Sequence, residues 1–218
     1  IDNYPMLVEI AKLNLKIILS TGMSSLKEIK NALDILINNG TLKKNITILH
    51  CNTDYPTKLN DVNLLAMLQI KKKFNVEIGY SDHTDGIIVP IVATSLGAKI
   101  IEKHFTLNKN FSNFRDHQLS MDPRDLNEII KRIDNVISQL GKNDIIVNKD
   151  ELANKNMYRR SIAAKNYIKK NSIVNEKDIC FLRPGIFTNQ DDLKKIIGKK
   201  SLKTLNPGDF FHLKKKIF

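Results

Sequence analysis

The sequence predicts an α/β fold in which parallel strands alternate with helices, followed by a small β-rich domain. Short apolar runs of strand length alternate four times with longer amphipathic runs within residues 1–140, and this alternation is typical of parallel sheets with crossover helices. Polar side chains follow each apolar run. From residue 158 onward, short β-like runs and Pro-Gly pairs replace the alternation.

The elements of the first 140 residues follow one another in a regular order. A helical pattern at residues 4–12 comes first, and the sequence enters it without an initial Met. The predicted strands are 16–20, 46–50, 76–80 and 98–101, and the helices that follow them are 26–37, 62–73, 86–96 and 122–140. Four such units form either a small open sheet or half of a closed eight-stranded barrel. The abrupt start favours the half-barrel, so we expect the carboxyl-terminal part of a larger enzyme.

Two of the helix predictions rest on particular residues. Ile29, Leu33 and Ile37 recur at the spacing of one helix face. Asp122 followed by Pro123 is a strong start signal, because aspartate caps a helix and proline fits its first turn.

The remaining residues predict a linker and a second domain. Residues 141–157 are polar with a weak helical pattern, and we expect them to form the linker. Residues 158–218 contain β-like runs at 161–164, 178–182 and 208–213. A domain of about 60 residues lies near the lower limit for independent folding, so we expect it to pack against another surface.

The positive charge is concentrated in this second domain. The chain carries a net charge of +12, of which residues 158–218 contribute +10 and residues 1–157 only +2. Such a field attracts nucleic acid or guides a phosphorylated or carboxylated substrate. Because no recognition motif or aromatic interleaving accompanies the lysines, we expect no nucleic-acid partner.

The composition favours a soluble, cytoplasmic protein without a membrane partner. An apolar share of 42% suffices for a core. No apolar run approaches the roughly 20 residues that span a bilayer, and the start lacks the pattern of a signal peptide. The two cysteines, Cys51 and Cys180, form no disulfide framework or zinc motif.

Two histidines stand where predicted strands end. His83 follows the run 76–80 and His104 follows the run 98–101, so the two could lie at the same end of neighbouring parallel strands. Imidazoles that converge on one point form a divalent-metal site with positions open to substrate oxygens. The alternative is that each histidine is a hydrogen-bonded structural residue. The nearby carboxylates are Asp82, Glu102 and Asp116, and they favour the metal site.

Beyond these patterns, eight segments match, in order, the successive motifs of one known enzyme family. The segments of the first domain that carry the resemblance are Leu19-Ser-Thr-Gly-Met-Ser-Ser25, Leu49-His-Cys-Asn-Thr-Asp-Tyr-Pro56, Asp61-Val-Asn-Leu64, Gly79-Tyr-Ser-Asp-His-Thr84 and Ile101-Glu-Lys-His-Phe-Thr-Leu107. Tyr158-Arg-Arg-Ser161, Leu182-Arg-Pro-Gly185 and Ile197-Gly-Lys199 resemble the small antifreeze-like domain of that family. One such segment is weak support, whereas the full series in order is specific. Over nearly all of its length, the chain therefore resembles the sialic acid synthase family.

The resemblance implies a fold, a reaction and an assembly. The fold is a (β/α)8 TIM barrel, of which residues 1–140 would supply strands 5–8, followed by an antifreeze-like (SAF, β-clip) domain at 158–218. The reaction condenses phosphoenolpyruvate with an N-acetylated amino sugar such as N-acetylmannosamine, and phosphate is released. The expected assembly is a domain-swapped homodimer in which each small domain covers the partner's active site.

The resemblance also assigns roles to individual residues. His83 and His104 match metal ligands for Mn²⁺ or Mg²⁺, and with Asp116 they form the expected catalytic set. Three residues match positions around phosphoenolpyruvate: Ser20, Thr53 and Ser81. Tyr55 and Asp116 match residues that contact the sugar. Arg183 matches the arginine that the small domain supplies. The structural alternatives are that Ser20 and Thr53 cap helices, that Tyr55 packs a loop, and that Arg183 forms a surface ion pair.

The sequence departs from the family pattern at three places. Phe114-Arg-Asp-His117 stands where Gly-Pro-Asp-His is usual, Asp85 replaces an apolar residue, and Pro184-Gly-Ile-Phe187 shortens a glycine-rich turn. Within the family, Asp116-His117 favours an N-acetylneuraminate or legionaminate synthase over a pseudaminate synthase. The rival hypotheses are another aldolase that condenses phosphoenolpyruvate, and a non-catalytic protein that binds anions or polysaccharides through its basic tail.

Overall fold

The structure, a computed structural model, describes residues 1–112 and 115–213, which fall into two compact units. The first unit comprises residues 1–142, and the second begins at residue 143. The sequence prediction placed the end of the first domain at residue 140 and a linker at 141–157.

A curled, parallel sheet forms the centre of the first unit, as in half of a barrel. Its strands are β1 (Ile17–Ser20), β2 (Ile46–Cys51), β3 (Glu77–Asp82) and β4 (Ile101–Lys103). They lie side by side in the order β1-β2-β3-β4. The carboxyl ends of all four therefore meet at one edge, where the sequence places its polar side chains.

Helices connect the strands and cover one face of the sheet. They are α1 (Tyr4–Lys12), α2 (Leu26–Asn38), α3 (Leu65–Phe74), α4 (Ile88–Ser95), the short α5 (Arg115–Leu119) and α6 (Pro123–Leu140). Short 3-10 helices occupy Lys43–Asn45 and Leu59–Asp61. Within the described ranges, no helix is both long and apolar enough to cross a membrane.

The two faces of the sheet differ in burial. Ile17 and Leu19 of β1 are buried in the core, whereas Ile18 and Ser20 between them point to the other face and are exposed. On that other face Gly79 lies beneath the side chain of Leu49, and any larger residue at position 79 would collide with it. One face is therefore sealed by helices, while the face that a complete barrel would enclose is open at β1.

Two strands end later than the sequence predicted. The apolar runs stop at Tyr80 and Ile101, but β3 continues to Asp82 and β4 to Lys103. Asp82 and Lys103 are register partners and form an ion pair. Because the two charges compensate each other, the strands can continue past the apolar runs into buried positions.

The second unit begins with a helix where a linker was predicted. Helix α7 (Lys149–Tyr158) starts at a capping box formed by Asn148 and Glu151. The antiparallel pair β5 (Ser161–Ala164) and β6 (Ile179–Leu182) follows. The other elements are 3-10 helices at Glu176–Asp178 and Gln190–Asp192 and the helix α8 (Leu193–Ile196). The predicted run at 208–213 contributes a single bridge, between Ala163 and Phe210.

Candidate functional site

His83 and His104 lie side by side at the carboxyl ends of neighbouring strands. Their ring centroids are 5.3 Å apart, and the ring planes are nearly perpendicular at 83°. His83 is buried and His104 is half-buried. Each follows the last residue of its strand, and those last residues, Asp82 and Lys103, are paired in register. The strand register therefore brings the two imidazoles together.

A backbone carbonyl fixes the protonation of His83. The Nδ1 nitrogen lies 2.6 Å from the carbonyl oxygen of Asn52, in the loop after β2. A carbonyl oxygen only accepts hydrogen bonds, so Nδ1 carries a proton, and in the neutral imidazole the lone pair is then on Nε2. A metal-binding histidine typically donates its other ring nitrogen to such an outer partner. His83 thus has the tautomer of a ligand that binds through Nε2.

Cys51 lies beside the same imidazole nitrogen but remains a thiol. Its Sγ is 3.9 Å from Nδ1 of His83. Burial raises the pKa of the Cys51 thiol above its ordinary value of 9.0. At neutral pH the side chain is therefore uncharged, and it does not compete for the proton on Nδ1.

Tyr55 packs against both histidines. Its ring centroid lies 4.1 Å from that of His83 and 5.7 Å from that of His104. The side chain of Tyr55 thus forms one wall of the space around the imidazole pair, next to any group that the imidazoles would bind.

The donor set of this pair fits a divalent cation with open coordination positions. Ring nitrogens bind metals at about 2.1 Å, so imidazoles whose centroids are 5.3 Å apart can face one ion. Among residues 1–112 and 115–213, no cluster of three or more His, Cys, Asp or Glu side chains has metal-binding geometry. Among these described residues, the two imidazoles would thus be the ligands, and water or substrate oxygens would fill further positions.

The carboxylate of Asp82 does not join this donor set. It is fully buried and forms an ion pair with Lys103 at 2.7 Å. Its other oxygen accepts hydrogen bonds from the backbone and the hydroxyl of Thr84. Asp82 is therefore not available as a direct metal ligand, because both of its oxygens are already engaged.

Ser81 and Glu102 form a polar pair on neighbouring strands. The Ser81 hydroxyl donates a hydrogen bond of 2.6 Å to Oε1 of Glu102, and the two residues are register partners. Ser81 is buried and Glu102 is exposed. Sequence analysis noted Glu102 only as a carboxylate near the histidines. The hydrogen bond identifies it as the residue that orients the predicted substrate-binding hydroxyl.

The loops after β1 and β2 meet next to this pair. Gly22 lies so close to Thr53 that a side chain at position 22 would collide with Oγ1 of Thr53. Neither Ser20 nor Thr53 caps a helix, because Ser25 is the N-cap of α2 and Leu64 precedes α3 without a capping hydrogen bond. Ser20 and Thr53 therefore do not have the helix-capping role that was considered as their alternative.

Asp116 lies in a segment that returns to the end of β4. The backbone N–H of Met121 donates to the carbonyl oxygen of His104 at 2.8 Å. The Thr106 hydroxyl lies 2.8 Å from Nδ1 of His117, so the half-buried Asp116 directly precedes a residue that contacts the loop after β4. Phe114, part of the segment that departs from the family pattern, lies outside the described residues.

Arg183 belongs to the second unit. It is exposed, its Nε donates to the carbonyl oxygen of Tyr158 at 3.0 Å, and its guanidinium lies 5.6 Å from the centre of the Tyr158 ring. Among the residues that the structure describes, Arg183 forms no ion pair. The surface ion pair considered as its alternative role is thus not found there.

Known proteins resemble this chain in sequence and in fold. A profile of the family described as the NeuB family matches residues 1–144. The N,N'-diacetyllegionaminic acid synthase of Campylobacter jejuni subsp. jejuni serotype O:2 is 44% identical over 203 residues, which cover 93% of this chain and 60% of that protein. The pseudaminic acid synthase of Helicobacter pylori is 36% identical over 191 residues, covering 87% and 55%.

A solved structure extends the similarity to three dimensions. The N-acetylneuraminic acid synthetase of Leptospira borgpetersenii serovar Hardjo-bovis, in complex with citrate, matches with a TM-score of 0.64 at 32% identity. The match covers 69% of this chain and 52% of that one. The chain spans about three fifths of the length of the curated relatives named above.

Proposed function

We propose, since the chain belongs to the NeuB family, that it forms part of a nonulosonic acid synthase. The enzyme would condense phosphoenolpyruvate with an N-acetylated amino sugar and release phosphate. The observation that carries the proposal is the pair formed by His83 and His104 at the strand ends. The synthase names of the similar proteins support the same reaction.

The reaction requires an electrophilic aldehyde and a positioned enol ester. The methylene carbon of phosphoenolpyruvate forms a bond to the aldehyde carbon of the open-chain sugar, whose oxygen takes up a proton and becomes a hydroxyl. Water then adds to the oxocarbenium carbon and gives up a proton. The bond from that carbon to the phosphate oxygen breaks, so that a keto group forms and inorganic phosphate leaves. A Mn²⁺ or Mg²⁺ ion held by His83 and His104 would polarise the aldehyde oxygen when bound.

The residues of this chain would hold and orient these groups. Asn52 keeps the proton on Nδ1 of His83, so Nε2 stays available as a ligand. Ser20, Thr53 and Ser81 would contact phosphoenolpyruvate, and the hydrogen bond to Glu102 would orient the Ser81 hydroxyl. Supporting this assignment, all of them lie at or just beyond strand ends.

The sugar would lie on the other side of the imidazole pair. Tyr55 would contact it, because its ring lies against both histidines. Asp116 would bind a sugar hydroxyl from the segment anchored at His104. A legionaminate-type or N-acetylneuraminate-type sugar is the proposed substrate. The Asp116-His117 pair, which the resemblance associates with these two branches of the family, supports it.

The second unit would complete the site as an antifreeze-like domain. In the proposed swapped homodimer, this domain, at 158–218, would reach the barrel of the partner, and residues 141–157 would connect it to its own barrel. Arg183 would then contact the sugar or the acidic groups around it and help to exclude water. Its exposure, and the orientation that Tyr158 gives its guanidinium, support this role.

The decisive experiment is phosphate release by the full-length protein. We expect phosphate to form only when phosphoenolpyruvate, a candidate amino sugar and Mn²⁺ or Mg²⁺ are all present, and to stop when a chelator is added. The candidate sugars are N-acetylmannosamine and the legionaminate and pseudaminate precursors. The control variant is His104→Ala, which should release none. Release with an unrelated aldose instead would identify another aldolase, and polysaccharide binding without any release would identify a non-catalytic protein.

A further inference from the structure

We propose that the buried ion pair between Asp82 and Lys103 fixes the relative positions of His83 and His104. The inference rests on the proposed function, in which these histidines bind a metal. Asp82 and Lys103 would be positioning residues, because they touch neither the substrate nor the ion.

The ion pair is isolated from solvent and fully engaged. Nζ of Lys103 lies 2.7 Å from Oδ2 of Asp82, and the two side chains are 1% and 0% exposed. Oδ1 of Asp82 accepts from the backbone N–H of Thr84 at 3.0 Å and from its hydroxyl at 2.8 Å. Lys103 also donates to the carbonyl oxygen of Thr84. Thr84 thus forms hydrogen bonds with both charged side chains, and His83 stands between Asp82 and Thr84 in the sequence.

The position of the pair explains why it acts on both histidines. Asp82 and Lys103 are the last residues of β3 and β4 and are partners in the parallel register. Successive residues in a strand point to opposite faces, so the two residues that follow, His83 and His104, turn together to the other side. A slip of the register by one residue would reverse these faces and would separate the imidazoles.

The energetics favour a positioning role over a stabilising one. An apolar pair of similar size is often at least as stable as a buried ion pair, because removing charges from water is costly. Buried ionic groups are best attested as devices that fix a register. The strand β4 spans only Ile101–Lys103, so few other ladder contacts fix it against β3. The pair therefore lies where a register constraint is most needed.

The test compares the full-length protein with a double variant, Asp82→Asn with Lys103→Met. This variant removes both charges together and leaves no buried charge uncompensated, so we expect it to fold. The matched control is Asp34→Asn with Lys30→Met, which removes a solvent-exposed ion pair on α2. Circular dichroism and thermal unfolding establish that each protein is folded before binding is measured.

Two readouts test the positions of the histidines, one on the pair and one on His83 alone. The first is the affinity for Mn²⁺ alone, from electron paramagnetic resonance of the free ion. Loss of an outer-shell partner typically lowers metal affinity by about 10- to 100-fold, and we expect such a decrease in the double variant and none in the control. The second readout is the NMR signal of the proton bound to Nδ1 of His83 in the metal-free protein. This downfield signal should be present in the parent and control and lost in the double variant.

The outcomes separate this inference from the proposed function. Unchanged Mn²⁺ affinity and an unchanged His83 signal in the folded double variant would overturn the positioning role and leave the proposed function intact. If the unsubstituted protein does not bind Mn²⁺ but the His83 signal is lost in the double variant, the positioning role is supported and the metal assignment is contradicted. If the unsubstituted protein does not bind Mn²⁺ and the His83 signal is the same in the double variant, the positioning role and the metal assignment are both overturned.

A second variant covers the case in which the double variant does not fold. Thr84→Val keeps the side-chain shape and removes the hydroxyl that donates to Asp82. We expect the His83 signal to broaden or shift and Mn²⁺ affinity to fall several-fold. If neither changes in folded Thr84→Val, the connection from the ion pair to His83 is refuted.

Discussion

Nδ1 of His83 lies 2.6 Å from the carbonyl oxygen of Asn52, so the backbone after one strand fixes the tautomer of a side chain after the next. The two ring nitrogens of His83 then have separate tasks. Nδ1 contributes to local structure through its hydrogen bond, and Nε2 is left for coordination. Substitutions that imitate one nitrogen but not the other can distinguish these tasks.

We predict that His83→Asn and His83→Ala differ in stability but not in metal binding. The amide nitrogen of asparagine can occupy the place of Nδ1 and donate to Asn52, whereas alanine loses that hydrogen bond, which is worth about 1 kcal/mol. Both variants lack Nε2 and should lose more than the roughly 100-fold in Mn²⁺ affinity that an outer-shell change costs. Urea unfolding and Mn²⁺ titration measure the two effects. Equal stabilities would show that the hydrogen bond contributes nothing.

The stability of the protein should depend on pH through His50. Burial lowers the pKa of His50 below its ordinary value of 6.5, an effect larger than the opposing influence of its contact with the carbonyl of Val62. Between the folded pKa and 6.5 the unfolded chain binds more protons at this residue than the folded one, so the free energy of unfolding falls as the pH drops below about 6.5.

His50→Gln provides the comparison. The variant lacks the titrating group, so its unfolding free energy should fall less steeply than that of the parent between pH 7 and pH 5. Other histidines contribute equally to both proteins and cancel in the difference. The measurement is denaturant unfolding at half-unit pH steps. Parallel pH profiles would exclude His50 as the source of the dependence.

Helix α6 should depend on its amino-terminal cap. One oxygen of Asp122 accepts from the backbone N–H groups of Arg124 and Asp125 at 2.8 and 2.9 Å. Asp122→Ala leaves these donors without that acceptor and should cost about 0.5–2 kcal/mol of unfolding free energy, whereas Asp122→Asn should cost less. Urea unfolding of the three proteins tests this. An equally large loss in Asp122→Asn would assign the effect to charge rather than to capping.

Arg183 should act on the active site of the partner subunit. In the full-length protein, His83→Ala and Arg183→Ala subunits are each expected to be inactive. In a swapped dimer, a mixed pair concentrates both changes in one site and leaves the other intact. Co-expression should therefore restore roughly a quarter of parental phosphate release, since about half of randomly assembled dimers are mixed.

The complementation experiment needs its own control. Lys169→Ala changes another exposed cation of the second unit and should be active without a partner. Native mass spectrometry establishes that mixed dimers form. Mixed dimers that stay as inactive as either parent would place Arg183 at the site of its own subunit.

Much of the fold could be predicted because its signals are local. Strands β1 and β2 begin and end within one residue of the predicted runs at 16–20 and 46–50. The ends of β3 and β4 could not be predicted in this way. Asp82 and Lys103 suggest exposed turns when each is considered alone, and their mutual compensation depends on a pairing between distant parts of the chain.

The candidate site shows the same division. The histidines could be placed at strand ends because each follows an apolar run. The hydrogen bond from His83 to Asn52 could not, because a backbone carbonyl is present at every residue and leaves no trace in the sequence. The bond between Ser81 and Glu102 depends on which residues face each other across two strands. From the sequence alone, Glu102 could be noted only as a carboxylate close to the histidines.

The strands lie in the sheet in the same order as in the chain, and each pairs with residues only about 20 to 30 positions away. Closing loops of this length costs little entropy compared with joining distant segments. During synthesis, β2 can dock on β1, β3 on β2 and β4 on β3 as each emerges from the ribosome. Vectorial assembly is thus a property of the strand order, and at every stage the growing edge is the strand most recently made.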